Sequence, residues 1–290
     1  MRINTNISSM IAIENGTAND KLANNSLEKL SSGLRINKAS DDASGMAIAD
    51  KLRTQKSSLV QSTHNANSAI ALVQIADKAM AEQSNILDIV KTKLLQASTA
   101  TTSSAGRQAV AKDINKLLVQ FDQIADQTNY NGMSLLQEKD GSITSSLSFM
   151  IGESKDDVIS TSGNIRSNTD GYARNNGFNT LAKVKLRTED DGLGLTVDRA
   201  KDFLATVDIS LEELNSWRSD FGSTQNQIES SLRNISTAVT NIAAAESVIR
   251  DVDYAQESAN FNKRSIIGNA ATYAQTQANA LPDDVLKLLN

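Results

Sequence analysis

The stretch Ala243–Phe261, AAAESVIRDVDYAQESANF, decides how this chain is organised. Steps of seven from Ala200 fall on Val207, Leu214, Phe221, Ile228, Ile235, Ile242 and Ile249, every one apolar. The next two steps fall on Gln256 and Lys263, so the row ends inside the quoted stretch. A new row starts at Val252 and runs through Ala259, Ile266 and Tyr273. Such a phase break rotates the apolar stripe and changes the neighbour it meets. Glu246, Arg250, Asp251, Asp253 and Glu257 gather at the break, which reads as a joint between two helical segments.

A matching break lies near the other end. A thin stripe of Ile3, Ile7, Met10, Leu22, Leu27, Leu30 and Leu34 stops at SSGLRINKASDD, where Ser40, Asp41 or Asp42 is placed to cap the next helix. Each terminal stripe is too thin to bury its apolar residues alone, so both are expected to need partner chains. Sevens from Leu52 then give Leu59, Ala66, Val73, Met80, Leu87 and Leu94, a long helix with one narrow seam. A further helix is expected from near Ala105, on Val110, Ile114, Leu117, Phe121 and Ile124, and NYNG (Asn129–Gly132) signals a turn after it.

Beyond that turn the period changes. GSITSSLSFMIG and DDVISTSGNI, parted by polar residues, predict a hairpin. Arg166–Gly194 is rich in Asn, Asp and Gly, with a weak strand candidate at LAKVKLR, and reads as a surface insertion. The strong row from Ala200 has a companion, Val197, Leu204 and Leu211, which turns polar at Arg218 and Gln225; a local change of partner, or another chain packing there, is expected. The pattern predicts a mainly α fold: a long antiparallel helical bundle or coiled coil with both termini together, plus a small β-hairpin region. Its expected segments are 1–40, 41–165, 166–194, 195–249 and 250–290.

Composition agrees. Of 290 residues, 39% are hydrophobic but only 4% aromatic, and Pro282 is the single proline, as in helical, elongated chains. A net charge of −5 argues against nucleic acid, which needs a basic footprint. No run of apolar residues is long enough for membrane insertion, and MRINTNISSMIAIENG lacks the features of a cleaved secretory signal. The absence of cysteine removes disulfides, thiol catalysis and cysteine-ligated metals. His64 has no second His or Cys to work with and reads as structural or solvent-facing. No cofactor is expected.

As catalysts, Asp41, Asp42, Asp251 and Asp253 would be acid/base carboxylates, with Arg35 or Arg250 orienting a substrate. No nucleophile or phosphate loop accompanies them, and DVDYAQE fails the calcium-loop template, with Ala255 at a ligand position. Helix capping and Arg–Asp bridges, extended to contacts between subunits, explain these six residues better.

The sequence resembles bacterial flagellin over about residues 1–160 and 195–290. The resemblance rests on RINTNISSM, LEKLSSGLRINKASDDASGMAIADKLR, RSDFGSTQNQIESSLRNIS, AAAESVIRDVDYAQESANFNK and the ending VLKLLN. It implies a structural subunit, not an enzyme, that homopolymerises into the extracellular flagellar filament for swimming motility. It further implies secretion through the flagellar export apparatus and dealings with a flagellin chaperone, the filament cap and hook–filament junction proteins. Ile3, Ile7, Leu27, Leu30, Leu34, Val252, Ile266 and Tyr273 would pack along the filament axis. The rivals are a hook–filament junction protein, against which the long SSGLRINKASDDASGMAIAD block argues, and an unrelated coiled-coil enzyme or scaffold.

Three further expectations follow from the resemblance. Flagellins are often O-glycosylated at outward-facing hydroxyls, which points to Ser160, Thr161, Ser162, Ser167, Thr169 and Thr180. Many carry Leu-Gln-Arg-Val-Arg-Glu-Leu, gripped by the flagellin-sensing Toll-like receptor. Here the stretch is LDIVKTK, with Asp88, Ile89 and Thr92 in place of Gln, Arg and Glu, and Lys93 as an unmatched cation in place of Leu. In the ending ANALPDDVLKLLN, Pro282 is expected to cut the last helix short.

Overall fold

The computed structural model describes residues 5–137, 146–161, 165–170, 181–189 and 195–289, and the side chains of all these except 186–189 and 281–289. In chain order the elements are α1 (Ile7–Ser32), α2 (Ala43–Ser98), α3 (Ser104–Gln127), β1 (Asn129–Tyr130), β2 (Met133–Ser134), β3 (Ser148–Met150), β4 (Val158–Ser160), α4 (Leu181–Glu189), α5 (Val197–Arg250) and α6 (Tyr254–Leu289). This is the expected mainly α fold with a small β-hairpin region. Two compact units divide it, Met1–Ser57 with Val239–Asn290 and Ser58–Ala238. Their limits fall within α2 and α5 and not at the polar breaks.

In the unit Ser58–Ala238, the seven-residue rows are the core. Leu59, Ala66, Val73, Met80, Leu87 and Leu94 of α2 are buried, as are Ala200, Val207, Leu214, Phe221, Ile228 and Ile235 of α5. Helix α3 adds Val110, Ile114, Leu118, Phe121 and Ala125, one step round from the expected Leu117 and Ile124. Ser103 caps α3, its side chain accepting from the Gly106 N–H. The polar centre of the companion row is answered within the unit: Arg218 Nε lies 3.1 Å from Asp77 Oδ1, and Gln225 donates to Glu229. His64 is exposed on α2.

Two antiparallel ribbons complete this unit. Strands β1 and β2 flank Asn131 and Gly132, whose φ values of 51° and 80° are those a tight two-residue hairpin demands. Strand β3 pairs with β4, Phe149 opposite Ile159, and the hairpin is held to α2 by Ser62 Oγ donating to the Gly152 carbonyl at 3.0 Å. LAKVKLR, expected as a weak strand, is helical in α4. Leu181 and Val184, three apart, are fully buried, and Lys185 on the adjoining face reaches Asp122 of α3 at 2.7 Å. A helical face that packs overrides a short ambiguous pattern.

In the unit Met1–Ser57 with Val239–Asn290, α1 runs antiparallel to α6. Helix α6 continues through Pro282 to Leu289 rather than ending at the proline.

Candidate functional site

Both polar breaks lie in one unit, and they pair. Gly33 ends α1 in the left-handed region at φ 73°, its N–H returning to the Lys29 carbonyl. A Cβ here would be strained by that φ and would stand 2.9 Å from Tyr254 Oη. The chain then forms a short antiparallel bridge, Leu34 opposite Asp251, in which Arg35 N–H donates to the Arg250 carbonyl and Val252 N–H to the Gly33 carbonyl. The Arg35 guanidinium donates to the Ile249 carbonyl at 2.5 Å. The last carbonyls of a helix lack intrahelical donors and carry partial negative charge, so a cation answers both needs.

The carboxylates cap. Asp42 Oδ1 accepts from Gly45 N–H at the start of α2, and Asp253 Oδ1 accepts from Ala255 and Gln256 N–H at the start of α6. Asp41 Oδ2 accepts from the N–H groups of Asn37 and Lys38, closing the turn between them. Desolvation pushes the Asp41 carboxyl up, but these backbone bonds and the charges of Lys29 and Lys38 outweigh it and hold the pKa below the ordinary aspartate value. Asp251 accepts from Ser247 Oγ at 2.6 Å.

The expected Arg–Asp bridges take a different route. Arg250 faces Asp50, at 3.6 Å, which also meets Arg53 at 3.0 Å; four residues before Arg250, Glu246 pairs with Lys56 at 2.5 Å. Asp50 and Lys56 escaped the sequence reading because no local pattern marks them. The Lys56–Glu246 pair lies further along the same antiparallel stretch of α2 and α5 as Asp50–Arg250. Arg250 Nε is buried without a hydrogen-bond partner, and Asp50 Oδ1 makes ionic contacts without a well-aligned hydrogen bond. Among the described residues no cluster of three or more His, Asp or Glu side chains could hold a metal ion.

Helices α1 and α6 meet through small and polar residues. A Cβ on Gly16 would lie 3.8 Å from Ala271 Cβ, and Asn19 Nδ2 donates to the Arg264 carbonyl at 2.8 Å. Ser9, Asn19, Ser26 and Ala278 are buried. The large apolar residues point elsewhere: Ile7 is 59% exposed, Leu27 51%, Ile266 68% and Tyr273 74%, alongside Met10, Ile11, Ile13 and Leu22. Leu30, Leu34 and Val252 are half-buried, and Ile3 lies outside the described residues.

On α2, Leu87, Val90 and Leu94 are buried while Asp88, Ile89 and Thr92 face out. Lys93 is not an unmatched cation, because Asp113 of α3 pairs with it at 3.0 Å. Lys91 pairs with Asp208 at 2.6 Å, and that hydrogen bond raises the lysine pKa. Of the hydroxyls expected to face outward, Ser160 does. Thr161, Ser167 and Thr169 are buried and held in hydrogen bonds, Thr161 to Leu147 N–H, Ser167 to Gln83 and Thr169 to Asp122. That geometry removes them from the outward set; Ser162 and Thr180 lie outside the described residues.

Known proteins place this architecture. The family model for the bacterial flagellin N-terminal helical region matches residues 3–140, and that for the flagellin C-terminal helical region matches residues 204–289. The chain is 32% identical to the flagellar filament 33 kDa core protein of Treponema phagedenis and 33% identical to a flagellin of Bacillus subtilis, each over the full length of both chains. Its fold is similar to that of a structure described as a flagellar hook-associated protein from Vibrio parahaemolyticus, with a TM-score of 0.58 at 9% identity, covering 72% of this chain and 99% of that one. No described helix is long and apolar enough to cross a membrane. The chain therefore belongs to the bacterial flagellin family and is a structural subunit of the flagellar filament, not an enzyme.

Proposed function

We propose that the outward apolar rows of α1 and α6 are the surfaces along which copies of this chain pack at the filament axis. One observation carries the reading: the contact between the two helices uses up their small and polar residues, leaving Ile7, Leu27, Ile266 and Tyr273 exposed. Fully burying one such side chain contributes about 1.5–3 kcal/mol, and a heterologous contact that does not close gives a helical polymer. Residues 1–40 and 250–290 would be the axial segments, 41–165 and 195–249 the rod around them, and 166–194 the outward elaboration. Arg35, Asp41, Asp42, Arg250, Asp251 and Asp253 would hold the axial segments to the rod and fix the geometry of subunit contacts.

Family membership supports secretion through the flagellar export apparatus, with a chaperone shielding the apolar rows beforehand and with cap and junction proteins at the filament's ends. Ser160 is the described hydroxyl best placed for O-glycosylation.

Ile7→Asp and Ile266→Asp, made separately, test the axial assignment. Each should leave the helical content of the subunit unchanged and abolish filaments in electron micrographs. Wild-type filaments from both variants would show that the rows serve some other purpose.

A further inference from the structure

Pro282, within α6, has no backbone N–H, so the ladder of that helix lacks the donor due to the Ala278 carbonyl four residues earlier. Ala278 is buried, at 9% exposure, where a carbonyl cannot rely on water. A donor arrives from the opposite end of the sequence: Asn6 Nδ2 lies 2.7 Å from that oxygen. The same side chain's Oδ1 accepts from Ser9 N–H at 3.1 Å as the N-cap of α1.

We propose that Asn6 is a two-ended lock, one amide that caps α1 and completes the proline-interrupted ladder of α6, so that the first and last helices become ordered together. The chemistry is selective. An amide carries a donor and an acceptor on separate atoms; Asp caps a helix equally well, but its carboxylate only accepts and cannot make the second donation. Asn19 provides the internal comparison. Its Nδ2 also reaches an α6 carbonyl, that of Arg264, but the residue four places on is Gly268, which has its own N–H. There the side chain adds a bond; at Ala278 it replaces one. This lock acts within a single chain and is independent of the assembly proposed above.

The test is hydrogen exchange on the full-length protein, isolated and assembled, following residues 9–13 and 275–281. Asn6→Asp keeps the cap and loses the donor, and should speed exchange at both ends about fivefold or more in the state where the wild type protects them. Pro282→Ala restores the helix's own N–H, and in that background Asn6→Asp should change exchange by less than about twofold. Rescue of this kind is beyond a merely structural asparagine. Equal acceleration with and without the proline overturns the proposal, as does acceleration at one end alone or a wild type unprotected at these residues in both states. Rescue seen in isolated chains that fail to polymerise would count against the assembly reading and leave the lock standing.

Discussion

Arg35 and Arg250 meet through their backbones, the N–H of the first donating to the carbonyl of the second at 2.7 Å. Two like-charged residues thus stand side by side, and each sends its guanidinium elsewhere: Arg35 to the Ile249 carbonyl, Arg250 towards Asp50. The end of α5 is closed by a residue from the other polar break, so neither break is complete without its counterpart.

Arg250→Ala tests the weight of that joint. The Arg250 side chain is mostly buried and Asp50 is partly so, which puts the pair between an exposed bridge and a buried one. Asp50 keeps Arg53, so the loss should be on the order of 1–2 kcal/mol, with helicity retained and filament shape or yield altered. Thermal unfolding followed by circular dichroism, beside electron microscopy, reads both effects. An unchanged melting temperature with wild-type filaments would demote the pair to a solvated contact.

Asp41 sets a pH dependence of definite sign. Its folded pKa lies below the unfolded one because backbone N–H bonds and nearby lysines outweigh desolvation. A depressed carboxyl contributes stability that is fully present above its unfolded pKa and lost as pH falls through the folded value. The amide shifts of Asn37 and Lys38 should therefore titrate together, with a midpoint below the ordinary aspartate value, and Asp41→Asn should abolish that step. A midpoint at or above the ordinary value would contradict the assignment.

Gln83 holds the segment 165–170 in place. It is wholly buried, donates to the carbonyls of Ser167 and Phe121 and accepts from Ser167 Oγ. Gln83→Leu has a similar volume but none of these bonds, and should cost about 1–3 kcal/mol. The same change should make residues 165–170 easier to cleave under limited proteolysis. Denaturant unfolding with an unshifted midpoint and an unaltered cleavage pattern would show that this network contributes nothing.

The parts legible in the sequence are those in which one apolar row repeats over many turns. Leu59 to Leu94 and Ala200 to Ile235 show it, since a sustained period leaves few packing solutions. LAKVKLR failed because seven residues carry too few turns to separate a two-residue from a three-residue repeat. The α1–α6 contact escaped for a different reason. Apolar patterning finds Ile7 and Ile266, which face away, and passes over Asn6, Ser9, Gly16 and Asn19, which make the contact. The caps at Asp42 and Asp253 were readable because capping is local, whereas Asp50 needed the register of two helices to be known.

The face presented by Asp88, Ile89 and Thr92 should make this protein a poor agonist of the flagellin-sensing Toll-like receptor. The helix is intact there, with Leu87, Val90 and Leu94 buried, so the difference lies in the exposed chemistry alone. Ile89 stands where the motif has an arginine, and it supplies no planar donor. Lys91 stands at the motif's second arginine position and is paired with Asp208, while Thr92 offers no carboxylate. Lys93 is engaged by Asp113, so a receptor surface built for leucine would meet an ion pair rather than an apolar side chain. A central interface anchor carries about 2 kcal/mol or more, and several are missing at once. Ile89→Arg, Thr92→Glu and Lys93→Leu, combined, should raise potency in a receptor reporter assay at least about tenfold, each 1.4 kcal/mol being one factor of ten. Potency of the unaltered protein equal to that of a motif-bearing flagellin would sink the claim.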